Sequence, residues 1–338
     1  MKLPTPRTVE LNNNALSTPV DVVIAWVDGE DPVIQEKRNR YLGQEKNVPQ
    51  VASKARRFTD NGEIKFCLQS IATHMTWVNR IFIVTDGQVP SCVKNDAPEI
   101  SRIRERISIV DHSEIFAGYE SLLPTFNSLA IETFIWRIND LSEHFLYLND
   151  DFFFCGPVRA RDFFRDGKVL LRGAWHDWHA MEKLSFHGEN NRNGAAYSGY
   201  HEKSFFKAVH VAYPMKKSVL ENAFHEHKEA FEKNAAHRFR SRGQFWPVSV
   251  HNHIALEHGL AEVKHDGKDW VHFSVAFCRD AKPTHIRKRL SMLKRRDKKV
   301  CCINYFEAVL SKVPEASKKV EKAISPTPLQ KFMHLLGR

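Results

Sequence analysis

Four short apolar runs, each stopped by an aspartate, constrain this chain more than any other feature. Residues 20–27 (VDVVIAWV) run into Asp28-Gly29, residues 80–85 (RIFIVT) into Asp86-Gly87, and residues 107–110 (ISIV) into Asp111. Residues 145–148 (FLYL) run into Asn149, Asp150 and Asp151 before an aromatic run resumes. Runs this short and rich in β-branched and aromatic residues fit strands buried on both faces. Between them lie segments with helical spacing: 32–41, 63–74 (Ile64, Cys67, Leu68, Ile71), and one opening at Pro124 with Phe126, Leu129, Ala130, Thr133 and Phe134 on or near one face. Strands alternating with helices need crossover connections and therefore parallel pairing. The expected fold class is α/β, a mostly parallel sheet flanked by helices. Ligands of such sheets sit beyond the C-terminal strand ends, which puts Asp28, Asp86, Asp111 and the Asp150–Asp151 pair on one rim. A single Asp-Gly after a strand is ordinarily a turn. Four acidic strand ends on one edge, one of them a pair of mutually repelling carboxylates, point instead to a nucleotide or nucleotide-sugar site with a divalent metal. The chain has neither GxGxxG nor GxxxxGKS/T, so the dinucleotide fingerprint and the Walker loop do not apply.

Composition narrows the class further. The 338 residues allow one large domain or two small ones. No apolar run approaches the ~20 residues of a membrane span, and the polar first 18 residues do not read as a secretory signal. The six cysteines show no CxxC spacing, so buried thiols in a reducing compartment are expected rather than a zinc site or a disulfide framework. A net charge of +10 favours an anionic partner. Further along, 169–175 reads as a strand and 176–200 as a loop covering a site. His176, His179 and His187 within it lack the HExxH pattern and read as surface residues. Residues 217–233 and 248–260 read as helices, 237–242 as a compact basic cluster, and 271–277 and 301–304 as late strands. Residues 282–299 carry nine Lys/Arg and one Asp around Ile286, Leu290 and Leu293. A solvated helix face, an anionic polymer, a membrane surface and nucleic acid all stay open for that run.

Several stretches resemble the blocks of the Stealth family: DVVIAWVDGEDP (21–32), RFTDNGEIKFCLQSIATHMTWVNRIFIVTDGQVP (57–90), ISIVDHSEIF (107–116) and LPTFNSLAIETFIWRINDLSEHFLYLNDDFFF (123–154). Weaker blocks follow in HVAYPMKKSVLE (210–221), AAHRFRSRGQF (235–245) and CCIN (301–304). The resemblance implies a GT-A-like, Rossmann-like fold with a helical insertion, and a sugar-1-phosphate transferase of capsular or other surface polysaccharide synthesis. It implies a UDP-sugar donor, typically UDP-N-acetylglucosamine, a growing anionic glycan as acceptor, Mg²⁺ or Mn²⁺ as cofactor, and UMP as product. Carried onto this chain, it makes Asp150, Asp151 and Asn304 the metal ligands, and Asp151, His210 and Arg240 the catalytic residues. His210 would be the base for the acceptor hydroxyl. Arg240, with Arg238 beside it, would neutralise charge on the attacked phosphate. Asp28, Arg57, Asn61 and Glu63 would line the donor pocket, with Asp86, Asn127 and Ser128 on the same rim. Glu132 is either a partner behind the site or an ordinary helix-surface residue.

One departure stands out. The last family block carries an acid after its asparagine, whereas Asn304 is followed by Tyr305; Asp280 is the candidate substitute. The expected organisation is a polar arm (1–18), a single catalytic domain (19–311) and a basic tail (312–338). Within the domain, 19–175 is the nucleotide-sugar core, 176–265 the lid and helical insertion, and 266–311 the late strands and basic helix. A bacterial cytoplasmic setting is expected, with peripheral contact to the inner face of the membrane left open. The rival readings are an ordinary glycosyltransferase releasing UDP, a non-catalytic relative, and a basic nucleic-acid-binding protein. The acidic rim argues against the last, because carboxylates repel phosphate unless a metal intervenes.

Overall fold

The computed structural model describes residues 18–44, 48–49, 60–179, 184–200 and 204–326. Arg57 lies outside the described residues. The four apolar runs form strands β1 (Val20–Ala25), β2 (Ile81–Thr85), β3 (Ile107–Asp111) and β4 (His144–Asn149). β1 pairs in parallel with both β2 and β4, and β2 with β3. A fifth strand, Tyr213–Lys216, joins antiparallel to β4, giving a mixed, mostly parallel α/β sheet. Register aligns the acidic ends: Ala25 lies opposite Asn149 and Val84, and Thr85 opposite Asp111. Val22, Val23, Ile24, Ile81, Ile83, Leu146 and Leu148 are fully buried. β1, β2 and β4 are covered on both faces, as expected of such runs, whereas β3, at the edge of the sheet, leaves Ser108 exposed and Ile107 and Ile109 half-buried.

Helices α1 (Pro32–Gln44), α2 (Glu63–His74) and α3 (Ser128–Phe134) flank the sheet. Gly62, at φ 87°, turns the chain into α2 in a conformation that an L side chain rarely adopts, and Asp60 accepts its N–H at 2.8 Å. The helix expected from Pro124 starts later. The Phe126 N–H donates to the Arg238 carbonyl at 2.8 Å, outside any helix, and Asn127 caps α3 by accepting from the Leu129 N–H.

The supposed covering loop 176–200 contains a helix, α4 (Phe186–Tyr197), capped by Ser185. Its apolar periodicity is weak because part of its buried face is polar or small. Asn190 donates to the carbonyls of Ser241 and Gln244, and Asn191 to that of Phe206. A Cβ at Gly194 would meet the Ser249 side chain at 2.7 Å. The strand expected at 169–175 is two strands, Lys168–Leu171 and Gly173–Asp177, parted by the buried Arg172. The helix expected at 217–233 breaks at His227 into α5 (Lys217–Glu226) and α6 (Lys228–Ala235). It is followed by α7 (Pro247–Glu257).

A second, three-stranded sheet joins Phe152–Phe154, Trp270–Phe273 and Val300–Ile303. The strand expected at 271–277 stops at Phe273, since Ser274 accepts from the Phe277 N–H and opens helix α8 (Val275–Asp280). Behind this sheet α9 (Pro283–Ser291), α10 (Phe306–Lys312) and α11 (Ala316–Ile324) build a separate apolar cluster with Phe153, Cys301, Leu290, Leu293, Val320 and Ile324. The basic run thus buries its apolar stripe, and the segment after 312 begins as a packed helix. Among the described residues, no helix is long and apolar enough to cross a membrane.

Candidate functional site

A cavity of about 640 Å³ opens beyond the C-terminal ends of β1 and β4. One wall is the sheet rim with the start of α2; the other comes from α4, the Arg240 loop, the second sheet and α8. Of the strand-end aspartates, Asp86, Asp150 and Asp151 line it. Asp28 and Asp111 do not, since each serves a turn: Asp28 accepts from the Glu30 N–H, and Asp111 from the N–H groups of Ser113 and Gly87. Asp86 already has a counter-charge, with Lys37 Nζ 3.1 Å away.

Among the described residues, no cation pairs with Asp150 or Asp151. Removal from water, then the neighbouring charges of Asp151, Glu63 and Asp60, push Asp150 well above the carboxylate range. Removal from water raises Asp151 to about 6, although Cys302 and Asn304 hydrogen-bond its Oδ2. Its Oδ1 is buried and finds no hydrogen-bond partner among the described residues. Glu63, raised to about 7 by burial, takes the Asn61 N–H and side-chain amide, and both residues line the cavity.

The facing wall brings cationic and imidazole groups. Arg240 donates through Nη2 to the Ser128 hydroxyl, while its Nε is buried and finds no partner among the described residues. Burial pulls the guanidinium down and the charge of Glu132 opposes it. Glu132 is not a surface residue: it is 3% exposed, accepts from the Tyr147 hydroxyl at 3.0 Å, and is raised to about 7 by burial. His210 sits against Phe152 and holds the Tyr213 hydroxyl at 2.6 Å through Nδ1.

Four further candidates stand elsewhere or do other work. Arg238 is absent from the cavity lining; its guanidinium donates to the carbonyls of Ser121, Leu122 and Pro124 and lies over the Tyr41 ring. Asn127 lines the cavity, but its amide is engaged by the His237 carbonyl at 2.7 Å and Gln244 Oε1 at 3.0 Å, so it fastens the Arg240 loop to α3. Asn304 Nδ2 donates to Asp151 Oδ2 at 3.0 Å while its Oδ1 meets His272 Nε2 at 2.7 Å, which makes it a brace for Asp151. Asp280 is exposed and paired with Arg279, outside the lining, and does not replace the missing acid. Tyr305 lines the cavity at that position, with Glu307 beside it. Cys302 and His272 join the site without a motif of their own. Only the CCIN block hints at the first, and no sequence signal marks the second.

Comparison with known proteins bears on the whole arrangement. Residues 18–46 match the model of Stealth protein conserved region 1, and residues 57–171 that of conserved region 2. An exopolysaccharide phosphotransferase of Streptomyces coelicolor is 34% identical over 299 residues, 85% of this chain and 47% of the relative. The chain belongs to the Stealth family. A capsular polysaccharide phosphotransferase of Haemophilus influenzae, 31% identical, covers 69% of the chain and 64% of its own length. The chain thus spans about half to two-thirds of the length of these Stealth relatives. Among solved structures, a galactosyltransferase with donor and acceptor sugar analogues aligns over 92% of this chain and 99% of its own, at 12% identity and a TM-score of 0.40. The two Stealth regions contain the acidic rim and Glu132 but stop short of His210, Arg240 and Asn304.

Proposed function

We propose that the chain transfers a sugar-1-phosphate, in particular N-acetylglucosamine-1-phosphate, from a UDP-sugar to a hydroxyl of a growing anionic glycan. The acceptor oxygen would bond to the sugar-linked phosphorus as the bond to the UMP oxygen breaks, leaving a phosphodiester and UMP. One observation carries this reading. A buried guanidinium N–H (Arg240 Nε) and a buried carboxylate oxygen (Asp151 Oδ1), both without partners among the described residues, belong to side chains lining one cavity. An unsatisfied cationic donor suits a phosphoryl oxygen, and an unsatisfied carboxylate oxygen suits a cation carried with it. The phosphotransferase names of the relatives support the same reading.

The donor set also fits the implied metal. Asp150 and Asp151 present hard oxygen ligands in a place where their charges repel and where, among the described residues, no cation pairs with them. Mg²⁺ or Mn²⁺ held there would neutralise pyrophosphate charge. For the chain's own groups, Arg240 stabilises charge on the attacked phosphoryl oxygens, where positioning and neutralisation do most of the work. His210, oriented by Tyr213, receives the proton of the acceptor hydroxyl. Glu63 and Asn61 bound the donor end of the cavity. A bacterial cytoplasmic setting follows from this reading, since nucleotide sugars are made there.

The test is a product assay. Incubation with UDP-N-acetylglucosamine, Mg²⁺ and short phosphoglycan acceptors, followed by chromatography, should yield UMP and a new phosphodiester, and EDTA should stop it. UDP as the product would mean glycosyl transfer and would remove the roles given to Arg240 and His210.

A further inference from the structure

We infer that Asp151, His210 and Cys302 form a chelating site for a thiophilic divalent cation such as Zn²⁺. One ligand atom from each lies within 4.8 Å of the other two. Cys302 Sγ stands 3.5 Å from Asp151 Oδ2. A Zn–S bond of ~2.3 Å and a Zn–O bond of ~2.1 Å at a tetrahedral angle give an S···O edge of about 3.6 Å. That spacing is therefore already set before any ion arrives. The three residues come from separate segments: the turn between β4 and β5 (Phe152–Phe154), the strand Val300–Ile303, and the link between Ser204–Ala208 and Tyr213–Lys216. No cysteine or histidine spacing announces them, which is why the chain reads as lacking a zinc motif. Sheet register fixes two of them, because Cys302 lies opposite Phe152 and the Ile303 N–H donates to the Asp151 carbonyl.

The surroundings resemble those of a metal centre. The Tyr213 hydroxyl orients the His210 ring and the Asn304 amide orients the Asp151 carboxylate. Ligating side chains are commonly braced in this way by outer hydrogen bonds. A carboxylate, an imidazole and a thiol make a borderline-soft donor set, which Zn²⁺ or Co²⁺ takes well and Mg²⁺ poorly. Asp151 and His210 line the cavity, with Cys302 buried behind them, which leaves room for an exchangeable fourth ligand on the cavity side. The ligand is the thiolate, so binding breaks the Cys302 S–H bond, forms the metal–sulfur bond and releases one proton to solvent. Asp151 cannot serve this ion and Mg²⁺ at once, and the ion occupies the His210 lone pair. On the transferase reading above, on which this consequence rests, the zinc-loaded chain is an off state.

Cobalt tests the site without any transfer reaction. Titrating the full chain with Co²⁺ should raise a near-ultraviolet thiolate-to-cobalt absorption band that saturates at one ion per chain. Zn²⁺ should abolish the band, and about a hundredfold excess of Mg²⁺ should not. The band should vanish in Cys302→Ser and persist in Cys301→Ser, whose buried thiol belongs to the other apolar cluster. His210→Gln should weaken Co²⁺ binding at least tenfold. No band in the wild-type chain, or a band surviving Cys302→Ser, overturns the site whatever the product assay shows. Where UMP release is observed, stoichiometric Zn²⁺ should abolish it and a chelator followed by Mg²⁺ should restore it. Undiminished release with the cobalt-competent site filled overturns the off state.

Discussion

On the sheet wall of the cavity, the acidic side chains stand at the ends of strands locked in register by ladder hydrogen bonds. On the facing wall, Arg240 lies in a coil between α6 and α7, and His210 in the link before Tyr213. Buried amides hold the Arg240 loop. Gln244 takes the Ser241 N–H and donates to the Asn234 carbonyl, Asn127 donates to Gln244, and Asn190 reaches the Ser241 and Gln244 carbonyls. The rim is thus positioned by backbone and gathers like charges; the facing wall is positioned by side chains and supplies the opposite charge. On the proposed function, a phosphorylated donor with its cation would satisfy both walls at once.

Replacing Arg240 is the most direct way to break the comparison. Arg240→Ala should lower UMP release by about 10³-fold, and Arg240→Lys by nearly as much, because an ammonium cannot both reach Ser128 and present a second N–H in the guanidinium plane. A Lys variant within a few-fold of wild type would show that charge alone suffices on that wall. On the rim, Asp151→Asn should cost about 10²-fold and abolish the response to Mg²⁺. Asp151 also predicts a pH limb. Its carboxyl is raised from 3.8 to about 6 in the metal-free fold, so protons and cation compete for it. Activity should fall as pH drops through about 6, and higher Mg²⁺ should move the limb to lower pH. A limb that ignores Mg²⁺ would dissociate Asp151 from the metal.

How much of each wall was legible follows from how each is built. Apolar runs ending in aspartate predicted all four parallel strands, and the shared rim was right for Asp86, Asp150 and Asp151. It failed for Asp28 and Asp111 because a carboxylate that closes a turn has the same sequence signature as one that faces a ligand. On the facing wall, periodicity is silent. α4 lacks the apolar spacing of a helix because much of its buried face is Asn190, Asn191 and Gly194, with only Phe186 and Ala195 apolar. His210 and Arg240 were reached only through family resemblance. The same resemblance carries Arg238, which lies off the cavity lining because its guanidinium is taken up by carbonyls, whereas that of Arg240 meets a hydroxyl inside the cavity.

Behind the facing wall, a buried ion pair ties the segment 168–177 to the second sheet and should be measured next. Arg172, between Lys168–Leu171 and Gly173–Asp177, donates to both oxygens of Asp269, just before the strand Trp270–Phe273. Both are buried, so Asp269→Ala leaves a charge without its partner and should destabilise the fold by roughly 3–5 kcal/mol in denaturant unfolding. A smaller loss would mean that packing alone joins the regions. Beneath Arg240, Glu132 is raised from 4.5 to about 7 by burial. A raised carboxyl contributes stability that is complete below pH 4.5 and lost as pH climbs through about 7. Glu132→Gln removes that dependence, so the variant should gain on wild type across this window by on the order of 3 kcal/mol. A difference that stays flat with pH would mean that Arg240 keeps Glu132 ionised throughout.

The smallest effect is expected farthest from the cavity. α9 buries Ile286 and Leu290, and several of its basic residues are already engaged, Arg287 with Glu315 and Arg289 over the Phe277 ring. Lys288 and Lys294 are exposed, and α9 follows directly on α8, whose Val275, Ala276 and Arg279 line the cavity. If an anionic acceptor leaves the cavity along this face, Lys288→Glu with Lys294→Glu should raise KM a few-fold for long acceptors only, and added salt should erase the difference. Short acceptors should be unaffected, since they end before reaching α9. Equal KM for long and short acceptors in the variant would make the basic run a solvated helix face and confine acceptor recognition to the two walls.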